Sequence, residues 1–271
     1  MHRLMDLISS DELYHHGIKG QKWGIRRFQN EDGSLTAKGR KRYGEDRFKL
    51  HDDGKIEIEK GAELQRIIDG KMSKTDLKGP TYASIGKNDN NQYMNILAKD
   101  GVSKVLKLTA KTSLKSPSTN EAADMYFKVL RDNPKALKEF KGMKDYAESV
   151  GLINNFDKKL DDIVKGKSNS KDKSDFYLYA NYLFVYNDQI PTSKSLFYQS
   201  LKDAGYNILR DEYDSRSGVV NAPMILLDGE ASVSIKSANI VNKSMMKNAA
   251  KYVEKYEKKG EEWAKKHVGI T

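Results

Sequence analysis

The stretch from Gly205 to Ile240, GYNILRDEYDSRSGVVNAPMILLDGEASVSIKSANI, constrains the fold more than any other part of the chain. The residues before it, Ser195 to Ala204, put Leu196, Phe197, Ser200 and Leu201 on one stripe, which predicts a helix. Gly205 ends that helix, because glycine takes a positive φ without steric cost. Tyr206 to Leu209 reads as a short strand, and Asp211 to Gly218, charged and glycine-containing, reads as a loop. Met224 to Leu227 follows Pro223 as a continuous apolar run. Such a run is the pattern of a fully buried strand, although periodicity alone also allows a helix. The stretch closes on Ile235-Lys236-Ser237-Ala238.

At 271 residues the chain has room for one large domain, or a medium one with appendages. Its hydrophobic content of 38% and mean hydropathy of −0.75 predict a real core with charged, partly extended ends. No run approaches the length of a transmembrane helix, so no membrane span is expected. Met1 to Ser10 is too short and too mixed for a secretory signal. The absence of cysteine excludes disulfides and thiol chemistry. It fits a reducing cytosol and equally a particle that leaves the cell. The net charge of +10 points to a polyanionic partner, whether nucleic acid, an acidic protein surface or a membrane face. The plainer reading is lysine used for solubility.

Residues 14 to 44, YHHGIKGQKWGIRRFQNEDGSLTAKGRKRYG, are the most distinctive stretch. Lys19, Lys22, Arg26, Arg27, Lys38, Arg40, Lys41 and Arg42 stand there against Glu31 and Asp32, with Trp23, Phe28 and Tyr43 interleaved. Basic side chains alternating with aromatics and glycines suit phosphate contact or docking on a partner. Lys22, Trp23, Arg26, Arg27, Arg40, Lys41 and Arg42 are the candidate nucleic-acid or partner contacts. His15 and His16 are adjacent with no third ligand nearby, so no metal site is expected.

The remaining pattern predicts a half-buried strand at Lys55–Glu59 and strands at Gly61–Ile68, Thr81–Ile85 and Val102–Leu108. Helices are expected over Asn88–Leu97, Asn120–Leu130, Pro134–Ser149 and Leu152–Val164. Lys165–Ser174 is free of apolar residues and reads as a surface loop or hinge. The aromatics of Asp175–Asn187 (Phe176, Tyr177, Tyr179, Tyr182, Phe184 and Tyr186) read as core before site. From Lys243 the chain reads as a charged helix with Met245, Ala249 and Tyr252 available for packing. The expected organisation is a basic module over 1–54, an α+β domain over 55–242 and a terminal helix over 243–271.

Two resemblances rest on these residues. From His16 to Tyr43 the sequence closely resembles a short module of tailed-phage proteins, of the form H-G-I-K-G-Q-K-W-G-x-R-R-x-Q-N-x-D-G-S-L-T-x-x-G-x-x-R-Y. This implies phage or prophage origin and a virion- or head-associated product, in the virion or the host cytoplasm, with capsid or portal proteins or DNA as partners. It implies no reaction. The order of helix, Gly205-Tyr206, short strand, loop, apolar strand and Ile235-Lys236-Ser237-Ala238 resembles the closing half of ADP-ribosyltransferase-like domains of phage and toxin polyproteins. The front of the chain fits too, with Arg66 in LQRI, Tyr82 and Ser84 in TYASI and Tyr93 in NQYM.

That second resemblance implies a mixed-sheet transferase-like core with helical insertions, NAD as cofactor and a host protein as target. Arg66 would clamp the pyrophosphate, as a guanidinium does bidentately. Tyr82 and Tyr93 would bind the nicotinamide end. Ser84 and Glu230 would be catalytic, the carboxylate stabilising the oxocarbenium-like ribosyl transition state. Glu212 and Asp228 are further carboxylate candidates. No Glu-x-Glu of the kind found in active members stands on the late strand. The plain alternatives are a strand-end surface arginine for Arg66 and ordinary strand packing for Tyr82 and Ser84.

No Walker loop and no zinc-type His-Glu pattern occur. The histidines, His2, His15, His16, His51 and His267, all lie near the ends, which excludes a Ser-His-Asp triad in the central domain. Two classes of function therefore stand: a phage protein with a transferase-like domain delivered to the host as an effector, or a non-enzymatic virion component held to capsid or DNA by its basic module.

Overall fold

A computed structural model of the protein describes residues 47–69, 77–149, 153–186, 189–216, 220 and 222–268. The N-terminal candidates Lys22, Trp23, Arg26, Arg27, Arg40, Lys41 and Arg42, with His15 and His16, lie outside the described residues.

The strands are β1 (Phe48–Leu50), β2 (Ile56–Ile58), β3 (Glu63–Ile68), β4 (Thr81–Ala83), β5 (Lys104–Ala110), β6 (Leu114–Lys115), β7 (Ile208–Arg210), β8 (Met224–Leu226) and β9 (Val233–Ile240). They form three sheets in the orders β1-β2-β6, β3-β5-β9 and β4-β8-β7. Every pairing among the described residues is antiparallel, which corrects the expected mixed sheet. A single antiparallel bridge, Gln65 to Ser84, joins the second sheet to the third. The first sheet meets the third where Asn207 accepts from the Lys115 amide at 2.7 Å and donates to the Ser113 carbonyl at 3.0 Å.

Ten helices are described: α1 (Lys87–Leu97), α2 (Thr119–Asp132), α3 (Pro134–Lys141), α4 (Lys144–Ser149), α5 (Phe156–Val164), α6 (Ser170–Tyr186), α7 (Pro191–Asp203), α8 (Glu212–Arg216), α9 (Gly229–Ser232) and α10 (Lys243–Val268). Their ends are chemically marked. Ser118 and Glu121 form a reciprocal capping box at the start of α2. Asn133 caps α3 with Pro134 in the first turn. The Glu139 carboxylate accepts from the Thr192 and Ser193 amides, satisfying the start of α7 from outside that helix.

The apolar run of β8 is buried on both faces of its sheet. Met224 and Leu226, with Ile208, face a core of strand residues that includes Ile56, Ile58, Leu64, Leu106 and Leu108. Ile225 and Leu227, with Leu209, face the helical core of α2 to α7. Side chains alternate between these faces with the period of two of a strand, so both sets must be apolar. The aromatic segment lies on α6, whose opening turn is polar and whose stretch from Phe176 to Phe184 is buried on most sides and central to the helical layer. Phe176, Tyr177, Tyr179 and Phe184 are all buried, the core role read from the sequence. Tyr126 of α2 holds edge-on contacts with Phe127, Phe140, Phe184 and Phe197.

Several boundaries differ from expectation for local reasons. The helix expected over Pro134–Ser149 breaks at Gly142 into α3 and α4. The loop expected through Ser174 is shorter, because Asn169 accepts from the Asp172 amide at 2.7 Å and starts α6 at Ser170. The loop expected over Asp211–Gly218 contains α8, which Asp211 begins by accepting from the Asp214 amide. β1 pairs with β2 upstream of the boundary expected at residue 55. The charged terminal helix α10 packs on α1 through Met245, Met246 and Ala249 against Met94 and Ala98.

Candidate functional site

The Gln65–Ser84 bridge is where the sequence-derived candidates come nearest to one another. Gln65 and Ser84 exchange both backbone hydrogen bonds at 2.9 Å. Ser84 is buried, and its hydroxyl donates to Oδ1 of Asn90, in the first turn of α1, at 2.8 Å. Arg66 is the next residue of β3 and is half-buried opposite Leu106. Directly paired residues share a face, and successive residues alternate. Gln65 and Ser84 therefore face α1, while Arg66 faces the strand core with Leu64 and Leu106. The two strands meet, but the Arg66 and Ser84 side chains leave on opposite faces.

Tyr82 pairs with Ile225 and packs, half-buried, on the helical core. Tyr93 projects from α1 and donates from its hydroxyl to Oδ2 of Asp214 at 2.6 Å. Burial, then the neighbouring Asp214 carboxylate, hold this phenol far above its ordinary pKa, so it remains a donor at all working pH values.

Glu230 is elsewhere. β4 and β8 pair with Thr81 opposite Leu226 and Ala83 opposite Met224, so the chain leaving β8 departs at the Thr81 end. There Asp228 caps α9 by accepting from the Ala231 amide at 3.0 Å. Gly229 donates to the Gly79 carbonyl at 2.9 Å. Glu230 is exposed on α9, and its backbone carbonyl accepts from Nζ of Lys111 at 2.8 Å. Ser84 directly follows β4 at its other end, three residues beyond Thr81 and roughly 10 Å from it at the usual rise of a strand. The apolar strand thus carries neither Asp228 nor Glu230 to the Ser84 end.

Other carboxylates occupy that end, and most of them carry no mark in the sequence pattern. Asp211 follows β7, its amide donating to the Pro223 carbonyl at 2.9 Å. Asp89 is buried and accepts from the Ala222 amide at 2.8 Å. Asp214 takes the Tyr93 hydroxyl. Glu212 is buried, accepts from the Thr119 hydroxyl at 2.6 Å and lies 3.9 Å from Nη1 of Arg210. Gly54, at φ +87°, closes over this group: a Cβ there would clash with the Thr119 hydroxyl. Asp211 is 1% exposed, and burial first, then the Asp214 charge, push its carboxyl up to about 7. The only sequence signal for the group is the spacing of Asp211, Glu212 and Asp214 directly after a strand.

The expected dinucleotide contacts can be set against this geometry. Ser84 and Tyr93 have their hydroxyls committed to Asn90 and Asp214, Tyr82 packs on the helical core, and Arg66 lies on the opposite face of its strand. These side chains are thus held by different partners on different faces. Two surface cavities of about 420 Å³ each lie apart from them, one beside Lys49, Glu57 and Lys115, the other beside Met125, Val129 and Leu196. Among the described residues no group of His, Cys, Asp or Glu is arranged to hold a metal ion, and no helix is long and apolar enough to cross a membrane. The chain matches no known family model, curated protein or solved structure.

Proposed function

We propose that the chain is a phage-encoded, virion-associated protein whose α+β domain keeps an ADP-ribosyltransferase-like plan but acts by binding rather than by group transfer. The basic module from His16 to Tyr43 attaches it to capsid, portal or DNA, in the virion or in the host cytoplasm after delivery. The observation that carries the non-catalytic part is the position of Glu230, exposed at the Thr81 end of β4, while Ser84 is buried at the other end with its hydroxyl held by Asn90. A transfer reaction needs its carboxylate and hydroxyl at one reacting carbon.

The second reading is an active NAD-dependent transferase acting on a host protein. The Gln65–Ser84 bridge favours it, because that bridge makes the Arg66 and Ser84 strands neighbours as the resemblance implies. One experiment separates the two: calorimetry of the purified protein with NAD, followed by incubation with labelled NAD and host lysate. The binding-module reading expects no label transfer, and the same result for Glu230→Gln as for the unaltered chain. Label transfer that is lost in Glu230→Gln would overturn it in favour of the transferase. The attachment role is tested separately, by finding the protein in purified virions or not.

A further inference from the structure

Among the described residues, three interior polar atoms at the end of β7 are unpaired and are electrostatic neighbours of one another. They are the Tyr177 hydroxyl on α6, the Tyr198 hydroxyl on α7 and Oδ2 of Asp211. Tyr177 and Asp211 are each 1% exposed and Tyr198 is 5% exposed. The sheet explains why Asp211 lies on the side of α6 and α7. Tyr82, Ile225 and Leu209 form one row across β4, β8 and β7, and this row faces the helices. Asp211 is two residues beyond Leu209, so its side chain leaves on the same face, toward α6 and α7. Its Oδ1 is taken by the Asp214 amide at 3.0 Å, which leaves Oδ2 for the interior.

The surrounding groups are already committed. Asn181 donates to the Arg210 carbonyl and accepts from the Tyr213 amide, and its remaining N–H lies toward the Tyr177 phenol without closing a full hydrogen bond. Glu212 is held by Thr119. Tyr82 is an electrostatic neighbour of Tyr198, and Asp214 takes the Tyr93 hydroxyl. Burial raises both phenols well above their ordinary value, and the Asp211 charge acts on each in the same direction. Both therefore stay protonated and able to donate. Buried polar groups in folded proteins are almost always hydrogen-bonded, to protein or to ordered water.

We propose that Tyr177, Tyr198 and Asp211 enclose an internal water-binding site between the end of β7 and helices α6 and α7. Water suits the set because it accepts from a phenol and donates to a carboxylate at once, and internal waters make about two to four such bonds. When Asp211 is protonated its hydroxyl donates instead, and the water turns to match. The donor set does not suit calcium, which takes about six to eight oxygens. The site ties the helical layer to the sheet where direct contact leaves polar atoms unpaired.

The test is a crystal structure of the full chain at a resolution that shows ordered water, with oxygen-17 relaxation dispersion to count long-lived internal waters. The expected result is density within hydrogen-bond distance of at least two of the three atoms. The count should fall in Tyr198→Phe and in Tyr177→Phe, each of which keeps the ring and removes the hydroxyl. Asp211→Asn should keep the site, with altered water orientation. The proposal is overturned if the phenols bond directly to the carboxyl or to other protein groups with no water between them. It is equally overturned if neither phenylalanine variant changes the count.

Discussion

Asp211 is a carboxyl held far from its ordinary range by burial and by the neighbouring Asp214 charge. A carboxyl raised from 3.8 to about 7 keeps its proton in the folded chain over a range where the unfolded chain has lost it. The folded state then binds more protons, so stability falls as pH rises from about 4 to about 7 and is level above that. The full span is on the order of 4 kcal/mol, because each tenfold change in proton affinity is worth about 1.4 kcal/mol. Asp211→Asn keeps the oxygen that caps α8 and removes the titration. Urea unfolding at pH 5 and pH 8 should show the variant gaining on the unaltered chain by a few kcal/mol at the higher pH; a gap that does not move with pH would discard the assignment. Tyr93 makes a different kind of contribution. Tyr93→Phe takes a hydrogen bond from Asp214 and should cost about 1–3 kcal/mol. Tyr146→Phe serves as the control, because the Tyr146–Tyr182 hydroxyl contact lies at the surface. Equal losses in the two variants would argue that the Tyr93–Asp214 bond has no special weight.

At the scale of elements, α9 is fixed by contact with the chain just before β4. Gly229 packs so closely there that a Cβ would stand 2.6 Å from the Leu77 carbonyl and from the Thr81 hydroxyl. A backbone oxygen cannot swing aside as a side chain can, so Gly229→Ala should cost about 1–3 kcal/mol through overpacking, measurable by thermal unfolding. An unchanged melting temperature would show that the 77–81 segment yields instead. Elements of this kind mark the limit of what is legible in the sequence. β8 is readable because burial on both faces leaves an uninterrupted apolar run. The aromatic helix α6 is readable as core because such density of rings has few other uses. The short helix α8 is not readable, because its signals, Asp211 and a run of polar residues, are also those of a loop. The antiparallel order is not, because pairing is set by which strands meet in space. The site is hidden for the same reason. Local pattern identifies Arg66, Ser84 and Tyr93 as notable, but the face on which Arg66 leaves β3 depends on register. The direction in which β8 carries Glu230 depends on its antiparallel partner. Asp89 joins Asp211 and Asp214 only through contacts spanning more than a hundred residues of chain.

For the whole molecule, the question is where the folded body begins and what its basic N-terminal stretch does. The expected boundary at residue 55 separates β1 from β2, yet Phe48, Lys49 and Leu50 pair with Ile58, Glu57 and Ile56. The Glu59 amide donates to the Arg47 carbonyl at 2.7 Å, and Arg47 donates from its guanidinium to the Gly61 carbonyl at 2.8 Å. The body therefore starts by Arg47, and a chain beginning there should unfold at a higher temperature than one beginning at Lys55, which lacks β1. The stretch before it carries eight basic residues against two acidic ones between His15 and Tyr43. If that stretch grips DNA, its contacts are with phosphates, and the logarithm of affinity falls with the logarithm of salt by about 0.9 for each phosphate neutralised. Replacing Arg26, Arg27, Arg40 and Arg42 with alanine should weaken binding at low salt for every DNA sequence alike and flatten the salt dependence by up to about four phosphates' worth. A chain that begins at Arg47 should bind weakly or not at all under the same conditions, because the charge has been removed while the α+β body remains. Filter binding across a salt series on these three chains decides the matter. Equal affinity and equal slope for the full and shortened chains would place any DNA contact on the folded body. Salt-independent binding would exclude a phosphate grip altogether and leave a capsid or portal protein as the partner of the basic module.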